Sequence, residues 1–152
     1  MEKITSFRVD HDHIGPGIYV SRIDSDITTY DLRTKKPNAG DYMDNLTMHS
    51  AEHMLATYLR NSEIKDSVIY FGPMGCQTGF YLLVRNADNK KVLSVLKGCL
   101  RDILTYEGEV FGAKRAECGN YKNLSLDAAK AICRDYLKIL ESRDWSFSYD
   151  RF

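Results

Sequence analysis

Long apolar runs are missing from this chain, and nothing in it approaches the roughly 20 apolar residues that a membrane-spanning helix requires. The first residues, Met1-Glu2-Lys3-Ile4-Thr5-Ser6-Phe7, also lack the apolar core of a signal peptide. A cytoplasmic location with no membrane partner is the resulting expectation. Excess charge is missing too. Lysine plus arginine and aspartate plus glutamate each total 21, so nothing favours a polyanionic partner such as nucleic acid. Cysteine is limited to four residues, which in a cytoplasmic chain read as thiols, metal ligands or core residues rather than disulfides. No repeat and no linker interrupts the 152 residues, a length suited to one domain with a real core. Residues 1–152 are therefore read as a single domain.

Histidine is scarce as well, and its placement is uneven. The four occur as two close pairs, His11/His13 and His49/His53. The second pair belongs to Met48-His49-Ser50-Ala51-Glu52-His53-Met54, within a stretch whose Leu55, Tyr58 and Leu59 supply a helical apolar stripe. A helix advances about 100° per residue, so His49 and His53 fall about 40° apart on one face and one turn apart along the axis. That spacing lets two imidazole nitrogens reach one divalent ion. Glu52 lies about 60° to the other side of His49, close enough to handle a proton without ligating. His-x-x-Glu-His is the inverted zincin order, in which the histidines bind metal and the glutamate is a general base.

The remaining elements follow from periodicity and breakers. The segment from Ser6 to His13 alternates weakly and is dense in polar groups, and by residue type alone Ser6, His11 and His13 read as surface. After Gly15-Pro16-Gly17, strands are expected over Ile18–Ile23 and from Ile27 to about Arg33, joined at Asp24-Ser25-Asp26 as a hairpin. In the second strand Tyr30 and Leu32 share one face and Asp31 and Arg33 the other, and Arg33 is either a solvated charge or an anion hook. Residues 35–40 form a loop. The metal helix begins near Asp44 to Thr47, which can cap it, and ends at Asn61-Ser62. Two more strands, Val68–Phe71 and Gly79–Arg85, flank Gly72-Pro73-Met74-Gly75-Cys76-Gln77-Thr78. That loop displays Cys76 as a nucleophile or acid–base group, or else turns it inward as a small hydrophobe. A clear amphipathic helix runs from Asn89 to about Tyr106, with Cys99 in its core stripe. Residues 107–120 form a glycine-rich loop carrying Cys118. A last helix, capped by Ser125 or Asn123, runs to about Glu141 with Cys133 in its apolar face. The tail, with Trp145, Phe147, Tyr149 and Phe152, has no period and either docks on a surface, a partner subunit's included, or stays mobile.

From these residues the site is His49, His53 and one thiolate. Cys118 is the better third ligand, because Cys76 sits on a tight loop suited to touching substrate. A His₂Cys set leaves a coordination position open, the mark of a catalytic site. Glu52 and Cys76 would then move protons nearby.

In this combination the chain resembles the S-ribosylhomocysteine lyase (LuxS) family. The resemblance runs through Ser6-Phe7-Arg8-Val9-Asp10-His11, Tyr30-Asp31-Leu32-Arg33 and His49-Ser50-Ala51-Glu52-His53. It continues in Gly72-Pro73-Met74-Gly75-Cys76-Gln77-Thr78-Gly79-Phe80-Tyr81 and Glu117-Cys118-Gly119-Asn120. It implies an α+β fold, an antiparallel sheet with helices packed on one face, in a homodimer with its sites at the subunit interface. It implies Fe²⁺, replaceable by Zn²⁺ or Co²⁺, held by His49, His53 and Cys118. The implied small-molecule substrate is S-ribosylhomocysteine, cleaved to homocysteine and 4,5-dihydroxy-2,3-pentanedione, the autoinducer-2 precursor, by carbonyl migration and β-elimination. Cys76 and Glu52 would shuttle protons, and Ser6, His11 and Arg33 would bind or orient the substrate. Arg33 is also the candidate cation for promoting the Cys76 thiolate. Ser50-Ala51 departs from the larger or β-branched residues often seen there and is expected to matter little. His13 matches no functional position, and the aromatic tail is unmatched. The rivals are an inverted zincin-type metallopeptidase using Glu52, against which the size of the chain and an unexplained Cys76 count, and a non-catalytic metal-binding module.

Overall fold

The computed structural model describes residues 1–149, so Phe152 of the aromatic tail lies outside the described residues. Four strands form one antiparallel sheet: β1 (Gly17–Asp24), β2 (Ile27–Arg33), β3 (Val68–Pro73) and β4 (Gly79–Arg85), in the order β1-β2-β4-β3. β1 and β2 make the expected hairpin, with Ser25 in the left-handed region at its turn. A bulge between Val20 and Arg22 adds Ser21 to β1. Four helices accompany the sheet: α1 (Thr5–Arg8), α2 (Asn45–Leu59), α3 (Asn89–Thr105) and α4 (Leu126–Glu141). No described helix is long and apolar enough to cross a membrane.

The three long helices start where a side-chain acceptor is available. Asp44, Asp88 and Ser125 accept backbone N–H bonds from Thr47, Lys91 and Ala128, a contribution of about 1 kcal/mol each. Their apolar stripes pack on the face of the sheet that carries Ile18, Tyr30, Leu32, Phe80, Leu82 and Val84, and this layer is the core. Cys99 and Cys133 lie in it as the stripes require, and burial pushes both thiols up to about 12. The four cysteines are free thiols.

Two points that the sequence leaves open are decided. The N-terminal segment, which alternates only weakly in sequence, closes a single helical turn at Thr5–Arg8. This turn has no apolar stripe for a periodicity to report. It lies across the opposite face of the sheet, where Ile4, Thr5 and Ser6 border a hollow of about 490 Å³ with Thr29, Tyr70, Tyr81 and Leu83. Helices therefore pack on one face only for α2, α3 and α4. The aromatic tail, for its part, docks on its own chain. Trp145 covers Gly17, where an added Cβ would come within 2.3 Å of the indole, and the Phe147 carbonyl accepts the Val20 N–H at 2.8 Å. This covers part of the outer edge of β1, an edge that would otherwise present unpaired N–H and C=O groups.

Candidate metal centre and active site

α2 brings His49 and His53 to one side, and the loop before α4 brings Cys118 to meet them. One ligand atom from each lies within 4.8 Å of the others, and His49 Nε2 is 3.3 Å from Cys118 Sγ. The ring orientations are set from behind. His49 Nδ1 is 2.8 Å from the Asn123 carbonyl oxygen and His53 Nδ1 is 2.7 Å from the Phe111 carbonyl oxygen. A carbonyl only accepts, so each Nδ1 carries the proton and donates it, and each Nε2 keeps its lone pair free for a metal. The Asn123 side-chain nitrogen also lies 3.3 Å from His49 Nδ1. It is committed to Asn45 Oδ1 at 2.6 Å, and the shorter carbonyl contact sets the tautomer. On the third side, the Asn120 N–H points at Cys118 Sγ at 3.4 Å, as a thiolate favours. Two imidazole nitrogens and a thiol form a donor set that fits a divalent transition metal and leaves a position open.

Two small residues make this geometry possible. Gly112 adopts φ +72°, and a Cβ there would stand 3.0 Å from His53 Nδ1. Gly112→Ala is therefore expected to tilt His53 away from the Phe111 carbonyl and weaken metal affinity by about tenfold or more, read by metal-chelator competition. Ser50 carries more than the sequence suggests. It is fully buried, donates to the Leu46 carbonyl at 2.7 Å and accepts the Ser125 N–H at 2.8 Å. Its hydroxyl thus ties the start of α4, and the Asn123 carbonyl two residues earlier, to the metal helix.

Glu52 is half-buried and shares a hollow of about 230 Å³ with His49, Pro73, Asn120 and Asn123. Pro73 ends β3 and opens the loop that carries Cys76. That loop is closed by Gln77 N–H to the Met74 carbonyl at 3.0 Å and Met74 N–H to the Gly79 carbonyl at 2.8 Å. Gln77 sits at φ +67°. The buried Met74 anchors the loop and leaves Cys76 exposed, which removes the reading of Cys76 as an inward-turned hydrophobe.

Behind Cys76 stands Arg33, which is neither solvated nor free. It is 2% exposed, and its Nη2 donates to Asp31 Oδ2 at 2.6 Å. Its Nη1 donates to Thr78 Oγ1 at 2.9 Å and lies 3.9 Å from Cys76 Sγ, while Thr78 Oγ1 is 3.0 Å from the same sulfur. Burial works against the guanidinium charge, but the Asp31 carboxylate outweighs it and holds the Arg33 pKa above its ordinary value. The cation beside the thiol is thus permanent.

Ser6 and His11 stand apart from the metal group, and Ser6 lies against Tyr81, whose hydroxyl is also within electrostatic reach of Arg33 and Cys76. Ser6 hydrogen-bonds Tyr81 on the outer face of the sheet, and His11 Nδ1 is 2.8 Å from the Val9 carbonyl oxygen. Sequence reasoning missed Asp31 and Thr78. Opposite charges at alternate strand positions, Asp31 and Arg33, were the available signal for a same-face pair. The carbonyls of Phe111 and Asn123 left no signal at all, because any residue supplies one.

Residues 4–146 match the family described as S-Ribosylhomocysteinase (LuxS). The chain is 43% identical over 148 residues to the S-ribosylhomocysteine lyase of Borrelia garinii subsp. bavariensis, covering 93% of this chain and 94% of the relative. It is 42% identical over 147 residues to that of Finegoldia magna, with the same coverage. To the S-ribosylhomocysteine lyase of Porphyromonas gingivalis it is 42% identical over 144 residues, covering 91% of each.

Proposed function

The chain belongs to the S-ribosylhomocysteinase (LuxS) family, and on that premise we propose how its residues divide the chemistry. The reaction is that of a carbon–sulfur lyase, cleaving the thioether of S-ribosylhomocysteine to homocysteine and 4,5-dihydroxy-2,3-pentanedione. The metallopeptidase and binding-module readings fall away with that membership.

The substrate itself dictates the steps. Its leaving sulfur is on C5 of the sugar, and β-elimination needs an acidic proton on C4, hence a carbonyl at C3. The opened sugar carries its carbonyl at C1. Two successive shifts must therefore move it, each taking a proton from one carbon and returning one to its neighbour. The C4 proton then leaves, a C4–C5 double bond forms, and the C5–S bond breaks to release a thiolate that is protonated as homocysteine. Such a sequence needs two groups able to take and return protons at neutral pH.

Cys76 and Glu52 are those groups, Pro73 lining the hollow with Glu52 and opening the loop that carries Cys76. Arg33 holds a positive charge beside the Cys76 sulfur and favours its thiolate. His49, His53 and Cys118 would hold the metal, Fe²⁺ by preference with Zn²⁺ or Co²⁺ as substitutes. When bound, the ion supplies Lewis-acid polarisation of a substrate oxygen without changing its own oxidation state. The observation that carries this reading is the pair of histidines tied back through Nδ1, which leaves Nε2 unprotonated, with Glu52 in the same hollow as His49.

Ser6 and His11 orient substrate from a second copy of the chain. What supports this is that their segment lies on the face of the sheet away from α2 and its histidines. Each is engaged elsewhere, and their segment sits on an outer sheet face where Ile4, Phe7 and Tyr70 stay exposed. A homodimer in the cytoplasm with two shared sites is the proposed assembly. Mixing tests it. Ser6→Ala and Glu52→Gln, each impaired alone, are expected to recover about a quarter of the parental activity after subunit exchange. Half of the dimers are then mixed, and each of those holds one intact site. No recovery from exchanged subunits would mean that Ser6 and Glu52 serve the same site from one chain.

A further inference from the structure

The family match ends at residue 146, and the residues on either side of that end reach back toward Cys76. Trp145 seats on Gly17, Phe147 bonds β1, and the Tyr149 ring stacks on Tyr19 at 4.9 Å. This places the Tyr149 hydroxyl 2.7 Å from Asp31 Oδ2, the oxygen that also accepts Arg33 Nη2 at 2.6 Å. A continuous chain of polar contacts thus runs from the tail through Asp31, Arg33 and Thr78 to Cys76 Sγ. We propose that Tyr149 is a positioning residue for the lyase reaction, its hydroxyl holding the Asp31–Arg33 pair in place beside Cys76. The proposal rests on the acid–base role assigned to Cys76 above.

Two features make the hydroxyl matter. Asp31 and Arg33 lie on the sheet face away from the long helices, so their burial depends on cover from elsewhere, and the tail provides part of it. The pair is also sparsely held. Asp31 Oδ1 and Arg33 Nε have no hydrogen-bond partner among the described residues, so each remaining bond carries more of the placement. The groups that act electrostatically on the Cys76 side are Arg33 and Asp31 from β2, Tyr81 from β4 and Tyr149 from the tail. Burial raises both tyrosines above their ordinary values, with Asp31 adding to the effect, so both are neutral donors at working pH. The field at the sulfur is then set by the Arg33 cation against the Asp31 anion. A hydroxyl donated to that anion offsets part of its charge.

The sign follows directly. Without the Tyr149 hydroxyl, Asp31 projects more negative potential and draws Arg33 toward itself, and the Cys76 thiolate loses support. In Tyr149→Phe, which keeps the ring on Tyr19, the pH profile of Cys76 alkylation by iodoacetamide is expected to move to higher pH. Resolved site by site by mass spectrometry, the Cys76 rate at pH 7 should fall about two- to fivefold. kcat should fall by a similar factor while KM stays near the parental value. Asp31→Asn, which removes the anion, should move the profile the other way. A Cys76 profile in Tyr149→Phe that superimposes on the parent overturns the proposal, whatever happens to thermal stability, because it leaves the hydroxyl a purely structural role. A shifted profile with unchanged kcat overturns it differently, by showing that Cys76 is not the group that limits turnover.

Discussion

Replacing Cys76 by alanine should leave the fold and the bound metal intact while homocysteine release falls about a thousandfold or more. The structural half of this expectation comes from exposure. Cys76 is at the surface of its loop, and the loop is closed by backbone bonds of Met74, Gln77 and Gly79 rather than by the sulfur. Among the described residues, removing Sγ takes a polar contact from Thr78 and Arg33, and both keep other partners. The thermal midpoint should therefore stay close to that of the parent. The chemical half comes from repetition. A single well-placed acid–base group contributes about 10²–10⁴-fold, and this reaction asks for proton transfers at several sugar carbons in turn. Loss of a group used more than once belongs near the upper end of that range. A Cys76→Ala protein that retained more than about a tenth of the parental turnover would show that Glu52 and solvent suffice.

The second large effect is at the metal. His53→Ala should empty the site, with metal content falling below about a tenth of the parental value and turnover lost with it. Two of the three proposed ligands, His49 and Cys118, remain on different elements, and nothing else among the described residues converges with them. The mutation also strands the Phe111 carbonyl that His53 Nδ1 engages, and loosens the loop carrying Gly112. Metal analysis and a chelator titration read the effect. The parent stripped of metal should lose activity in the same way, and adding Fe²⁺, Co²⁺ or Zn²⁺ should restore it. In His53→Ala the same addition should fail. Restored activity there would demote His53 from ligand to neighbour.

Much of this site is legible in the sequence because helices and strands convert spacing into direction. His49 and His53 fall on one face for that reason, and Cys118 could be ranked above Cys76 because the loops differ in constraint. The hairpins and the three long helices follow from alternation, capping residues and apolar stripes. What escaped has a common cause. Asp31 and Arg33 alternate as a solvated strand face would, and their burial is decided by a distant tail whose Trp145, Phe147 and Tyr149 follow no period. The α1 turn is too short to show a stripe. The orientation of the histidine rings depends on backbone carbonyls, which every residue has. Ser50 looked incidental because a hydroxyl in a helix usually satisfies itself on the preceding turn, and this one also holds the start of α4.

The most direct test of the account is homocysteine release itself. The protein, prepared anaerobically with Fe²⁺ or as its Co²⁺ form, is mixed with S-ribosylhomocysteine, and free thiol is titrated beside Cys76→Ala and Glu52→Gln. Stoichiometric release by the parent, with loss in both variants at unchanged metal content, is the result expected. A fully metallated parent that releases no homocysteine, or variants that release it at the parental rate, would contradict the assignment of Cys76 and Glu52 as the proton-carrying pair beside a His49–His53–Cys118 metal centre.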